Sequence, residues 1–227
     1  MSYITLMVND AGAVAAADSR ESFYNIAHFN WLRKVYTLPE RNMVLALCGP
    51  SFRHGVPLFR TAVSILRRDG GVEQALERIG RMVAAATALR LPREDPGPFV
   101  LLAAAWEGNG FTVYNFCVQQ GKRTLQKTRV EQGQTLALHA GAWHRQMPRL
   151  STRALSGLDL EELRTLARAR VALAIEKDAL RKRDNPRHNQ TIGGAVYTCS
   201  VRVQRCRSIS VDEKSATNSD NSLEPGQ

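Results

Sequence analysis

The sequence predicts an α+β fold, a four-layer αββα sandwich in which two antiparallel sheets face one another between layers of helix. Three observations carry this. Strand-like runs come in pairs around turn residues: Met1–Val8 and Ala13–Arg20 around Asn9-Asp10-Ala11-Gly12, and Phe99–Trp106 and Phe111–Phe116 around Glu107-Gly108-Asn109-Gly110. Lys34–Leu38 and Asn42–Cys48 lack clean alternation of apolar and polar residues, as strands covered on both faces do. Helical periodicities separate the pairs. At 227 residues and 44% hydrophobic, the chain can bury a substantial core. Residues 2–207 are read as one domain and residues 208–227 as a polar, disordered tail, because the latter hold almost no apolar side chains.

In order, the first hairpin is followed by a polar loop, Arg20 to Asn30, with aromatics Phe23, Tyr24 and Phe29. Lys34–Leu38 and Asn42–Cys48 flank Pro39-Glu40-Arg41 and form a second hairpin. Val56, Phe59, Ala62, Val63 and Leu66 share a helical face, and after Asp69-Gly70-Gly71 so do Val72, Ala75, Leu76, Ile79, Val83 and Ala86. A loop from Leu91 to Pro98 leads into the Phe99–Phe116 hairpin, and Arg123–Val130 and Thr135–His139 continue its sheet. Asp159 starts a long helix with Leu160, Leu163, Leu166, Ala167, Val171, Ala174 and Ile175 on one side. Acids open it and Arg181-Lys182-Arg183 close it, which suits the helix dipole. Val196–Val203 reads as the closing strand.

Charge and cysteines narrow the function classes. The net charge is +10, which raises nucleic acid as a partner. The basic residues are dispersed, without aromatic interleaving or a helix-turn-helix pattern, so a solvated arginine-rich surface is the preferred reading. No apolar run reaches membrane-helix length and no leader pattern opens the chain. Cys48, Cys117, Cys199 and Cys206 show no metal-ligand spacing, and His139, His144 and His188 form no metal or charge-relay set. No cofactor or metal is expected, and a cytoplasmic location is.

The chemistry concentrates at the first hairpin. A turn centred near residues 10 and 11 sets Ser2 across from residues 18 and 19, within reach of Asp18; Lys34 opens another strand, and all three converge if that strand ends at the same place. After removal of Met1, Ser2 would carry a hydroxyl beside a free α-amine. The amine is a recognised base for such a hydroxyl, with a pKa of about 7.7–8.0. Lys34 would stabilise a developing alkoxide and Asp18 would hold the ammonium.

Ser2, Ala15-Ala16-Ala17-Asp18-Ser19-Arg20 and Lys34-Val35-Tyr36 resemble, at ungapped spacing, the opening of proteasome β-type subunits, a family of N-terminal-nucleophile (Ntn) hydrolases. Ala46-Leu47-Cys48-Gly49 is similar to the family's stretch whose glycine N–H helps form the oxyanion hole, and Arg183-Asp184 with Ile192-Gly193-Gly194-Ala195-Val196 is similar to its later Arg-Asp…Gly-Gly run. The resemblance covers about residues 2 to 203 and points to a bacterial proteasome-like homologue. It implies catalytic Ser2, Asp18 and Lys34, an oxyanion donor at Gly49, and support from Arg20 and Asp184. It further implies a peptidase in a homo-oligomeric stacked ring, heptameric, acting on peptides or unfolded proteins and served by an ATPase unfoldase. Three departures stand out: serine replaces the family's threonine, Leu138–Trp143 lacks the family's accessory serine, and the run from Asn185 to Ile192 is longer than the family's spacing and leaves the serine after the aspartate without a counterpart. An Ntn amidase or ligase acting on small substrates, and an inactive ring-forming relative, are the alternatives.

Overall fold

The computed structural model describes residues 2–23, 27–88, 97–185, 192–203 and 209–214. The first hairpin is β1 (Tyr3–Asn9) and β2 (Gly12–Asp18). Its turn is held by the Asn9 side chain, whose Oδ1 accepts from the Ala11 and Gly12 amides at 2.9 and 3.3 Å. The Asn9 Nδ2 donates to the Leu155 and Leu158 carbonyls at 3.0 and 2.9 Å, which ties the turn to the second half of the chain. Where a loop was expected at residues 20–30, two short strands, β3 (Glu21–Phe23) and β4 (Ala27–Phe29), pair as a small sheet of their own. Residues 24–26, including Tyr24, lie outside the described residues, as do residues 91–96 of the expected loop, His188 and Cys206.

β5 (Val35–Leu38) and β6 (Met43–Cys48) form the second hairpin. Helices α1 (Leu58–Arg68) and α2 (Val72–Ala88) follow where the 3.6-residue period placed them. Three strands then run as a meander: β7 (Phe99–Glu107), β8 (Gly110–Gln119) and β9 (Lys122–Glu131). β10 (Leu136–Gly141) crosses to the other sheet. The mixed stretch after it contains one helical turn, α3 (Thr152–Leu155), and α4 runs from Leu160 to Asp184. Its start carries a capping box: Asp159 accepts from the Glu162 amide and Glu162 accepts from the Asp159 amide, both at 2.8 Å. β11 (Val196–Val203) closes against β2. Residues 209–214, assigned to the polar tail from sequence, form β12 (Ile209–Lys214), paired with β11; residues 215–227 lie outside the described residues.

The strands make two five-stranded antiparallel sheets, β10-β1-β2-β11-β12 and β5-β6-β7-β8-β9. Alternation along β1 sends Ile4, Leu6 and Val8 between the sheets, and Tyr3 and Met7 toward α4. Ala13, Ala15 and Ala17 on β2 join the layer between the sheets, where their small side chains permit close approach. Met43, Leu45 and Leu47 of β6 pack instead under α1 and α2.

The expected regular four-layer αββα sandwich of Ntn-hydrolase type is corrected by this structure. Among the described residues the chain is a mixed α/β fold of two antiparallel sheets with four helices, plus the separate β3–β4 pair. Cover is uneven. In β9 only Val130 is buried, because Lys-Arg-Thr-Leu-Gln-Lys-Thr-Arg offers polar groups to both faces, so an edge strand is left in solvent. α3 is a single turn and adds little cover. Among the described residues, no helix is long and apolar enough to cross a membrane.

Candidate active site

The hairpin register decides what meets Ser2. Ile4 pairs with Ala17, so the next pairs toward the open end bring Tyr3 to Asp18 and Ser2 to Ser19. In the other sheet Val35 pairs with Ala46, and the Leu47 amide donates to the Lys34 carbonyl at 2.8 Å, which places Lys34 at that sheet's corresponding end. β2 packs against β6 and β5 between the sheets, so the two ends coincide.

The Lys34 ammonium donates to Ser2 Oγ at 2.7 Å, to Asp18 Oδ2 at 3.0 Å and to the Arg20 carbonyl at 2.5 Å. Three acceptors match its three protons. Lys34 and Asp18 are both 0% exposed. A buried ammonium is tolerable only when paired and fully hydrogen-bonded, and this one is. The carboxylate is likewise surrounded. Its Oδ1 accepts from the Tyr3 amide at 3.0 Å; Oδ2 accepts from Arg20 at 3.1 Å and Gly193 at 3.4 Å. Ser2 is 6% exposed, and its carbonyl accepts from the Ala142 amide at 2.9 Å. Gly141, at φ +95°, makes that approach possible, since a Cβ there would collide with the Ser2 carbonyl.

Gly49 stands just past β6, beside the strand end that carries Lys34, at φ +108°; a Cβ there would strike the Pro98 carbonyl. Arg20 reaches the site through its backbone, with its amide on Asp18 and its carbonyl on Lys34. The guanidinium turns away, donating from Nε to Asn30 Oδ1 at 3.0 Å and covering Gly193. The ion-pair support expected of Arg20 is therefore replaced by main-chain contacts. Asp184 is not brought to the trio at all. It ends α4 with a side chain 68% exposed, 3.4 Å from Arg183 Nε.

The buried carboxylate that orders the later segment is Asp178, which sequence reading missed. It accepts from Trp143 Nε1 at 3.1 Å and from the Ile192 amide at 3.0 Å, and so anchors the strand entry whose next residue, Gly193, reaches Asp18. Its signal was available. Leu163, Ala167, Val171, Ala174 and Asp178 share one helical stripe, and a carboxylate on an apolar stripe requires buried donors.

Burial also tunes the neighbours. It pushes the Cys48 thiol up to about 12, which keeps it an inert thiol beside the site. It raises the Glu21 carboxyl, with Lys34 pulling the other way. It lowers His139 to about 4, with Arg170 and His144 acting in the same direction, so this ring is neutral near pH 7. Among the described residues, no group of three or more His, Cys, Asp or Glu side chains could hold a metal ion.

No protein-family model matches the sequence, and neither does any curated protein. Solved structures do match. Anbu from Hyphomicrobium sp. strain MC1 is 15% identical with a TM-score of 0.58, covering 96% of this chain and 89% of that one. Anbu (ancestral beta-subunit) from Yersinia bercovieri is 16% identical with a TM-score of 0.54, covering 87% of this chain and 81% of that one. The sequence resemblance to proteasome β-type subunits is corrected accordingly: the neighbours found are Anbu proteins, and no sequence family supports the proteasome assignment. At this identity the likeness shows a shared fold, that of the Anbu (ancestral beta-subunit) structures.

Proposed function

We propose that the protein is an N-terminal-nucleophile hydrolase of amide bonds, with Ser2 as nucleophile and peptides as substrates. One observation carries the reading: a fully buried ammonium, anchored by Asp18 at 3.0 Å, donates to the hydroxyl of residue 2 at 2.7 Å. A buried ion pair is poor evidence of added stability, so its presence beside a hydroxyl favours a chemical role.

With Met1 excised, the Ser2 α-amine takes the hydroxyl proton as Oγ attacks the carbonyl carbon. Lys34 lowers the energy of the developing alkoxide, and Asp18 keeps the ammonium in place. Gly49 is assigned the N–H that stabilises the oxyanion, a contribution commonly worth about 3–4 kcal/mol per donor. The amine returns its proton to the leaving nitrogen, and the C–N bond breaks to leave an ester on Ser2. Water, deprotonated by the same amine, adds to the ester, and Ser2 Oγ leaves with that proton. The fold shared with the Anbu structures favours assembly of this chain with copies of itself into a ring, and a cytoplasmic location is part of the same proposal. Seven subunits, unfolded-protein substrates and an ATPase unfoldase belong to the same proposal.

Intact-mass measurement reports whether Met1 is gone. A peptide epoxyketone, which needs both an N-terminal amine and its adjacent hydroxyl, should add once to the wild type and not to Ser2→Ala. Native mass spectrometry counts the subunits. Retention of Met1, or an unmodified Ser2 under conditions that label an active Ntn peptidase, overturns the assignment.

A further inference from the structure

We propose that Tyr3 is a positioning residue: its ring fixes the Ser2–Tyr3 peptide unit and thereby holds Asp18 and Lys34 against Ser2 Oγ. The proposal rests on Ser2 being the nucleophile, and its test is chosen so that the two can fail separately.

That peptide unit is gripped at both polar ends. Its carbonyl accepts from the Ala142 amide at 2.9 Å, and its N–H donates to Asp18 Oδ1 at 3.0 Å. A shift of this one unit moves the nucleophile and turns the carboxylate whose other oxygen orients Lys34. Something must hold residue 3 still, and backbone pairing at the first residue of a strand is where fraying begins.

The Tyr3 side chain supplies the hold. It points into the layer under α4, is 0% exposed, and packs among Met7, Val14, Leu163 and Ala167. Its ring stacks on His139, with centroids 6.1 Å apart and planes 15° apart. His139 is braced in turn, its Nδ1 lying 2.8 Å from Thr5 Oγ1 on the same strand. Arg170 of α4 lies close enough for its charge to act on the phenol and is itself buried, donating to the Pro148 carbonyl at 2.7 Å. The phenol oxygen is buried, with Arg170 as its polar neighbour. The stack on His139 is made by the ring alone, and it is the ring that braces β1. β1 is pinned from behind so that its first peptide presents a fixed front.

Two variants separate the ring from the hydroxyl. Tyr3→Phe keeps the stack, whereas Tyr3→Leu keeps an apolar side chain without a flat face. The readouts are the rate of Ser2 acylation by the epoxyketone, kcat and KM on a fluorogenic peptide, and the 15N resonance of the Lys34 ammonium, identified by its loss in Lys34→Met. Wild type and Tyr3→Phe should acylate alike and show the ammonium signal. Tyr3→Leu should lose at least tenfold in acylation and kcat with KM unchanged, and its ammonium signal should broaden away; misplacement of about 1 Å can cost a hundredfold. A folded Tyr3→Leu protein with wild-type rates and an intact signal overturns the proposal. If wild-type Ser2 proves unreactive, the hydrolase reading fails while the ammonium signal still decides the role of Tyr3. If Tyr3→Leu does not fold, His139→Ala removes the stack from a less buried position: a broadened ammonium signal supports the proposal, and an unchanged one refutes it.

Discussion

Replacing Lys34 by methionine tests the buried ion pair most directly. The side chain is 0% exposed, and methionine fills nearly the same volume, so the change is chiefly loss of the ammonium. Breaking a buried pair by removing one partner costs about 3–5 kcal/mol. Asp18 retains amide donors from Tyr3, Arg20 and Gly193, which argues for the lower end. The Arg20 carbonyl and Ser2 Oγ each lose a donor as well. We expect about 3 kcal/mol of destabilisation, equivalent to a Tm lower by about 6–12 °C for a chain of this size. Asp18→Asn should cost about 2 kcal/mol, since its amide would face the Arg20 and Gly193 donors. The double variant should be less destabilised than the two singles together by about 2 kcal/mol. Urea unfolding of the four proteins at low and at 0.5 M salt reads this coupling, which should not change with salt because water does not reach the pair. A Lys34→Met protein within about 1 kcal/mol of wild type, or strictly additive variants, refutes the reasoning.

Gly141→Ala should slow Ser2 acylation at least tenfold and cost about 3 kcal/mol, because φ of +95° and the adjacent Ser2 carbonyl leave no room for a methyl; epoxyketone labelling and urea unfolding check it. Asp178→Ala strands the Trp143 and Ile192 N–H groups and should cost about 2–4 kcal/mol, with Asp178→Asn losing less; equal losses in the two variants would contradict this. His139 falls from an unfolded value near 6.5 to about 4 in the fold, so between those values the folded protein binds fewer protons and falling pH favours unfolding. Its part of the acid destabilisation, discounted for partial exposure, is about 2 kcal/mol, and His139→Phe should flatten the stability profile between pH 6.5 and 4 by that amount. A profile parallel to wild type would exclude the effect.

The legible parts of the fold and site share a physical property: they are local. Asn9-Asp10-Ala11-Gly12 has turn chemistry that sets the register of β1 on β2, so the meeting of residues 2 and 3 with residues 18 and 19 follows from a short loop. The periods over Val56–Leu66 and Val72–Ala86, the Gly70-Gly71 break and the Asp159 cap act within a few residues, and they placed three helices. The overturned readings depended on what covers what. A polar β9 left in solvent denies the regular four-layer arrangement. A short hairpin occupies the expected loop after Arg20, and polar residues 209–214 pair with β11 although their composition argued against order.

Tertiary packing alone decided how the trio is enclosed. The sequence by itself put a hydroxyl and a carboxylate at the open end of the first hairpin and an ammonium at the start of a later strand. That Gly193 donates to Asp18 from 175 residues away, that Asp178 rather than Asp184 is the buried carboxylate of α4, and that Gly141 cradles the Ser2 carbonyl were settled only when the sheets and helices closed. Loop-closure entropy is nearly blind to which of two acids, six residues apart on one helix, turns inward, and the choice falls to the buried amides that need an acceptor.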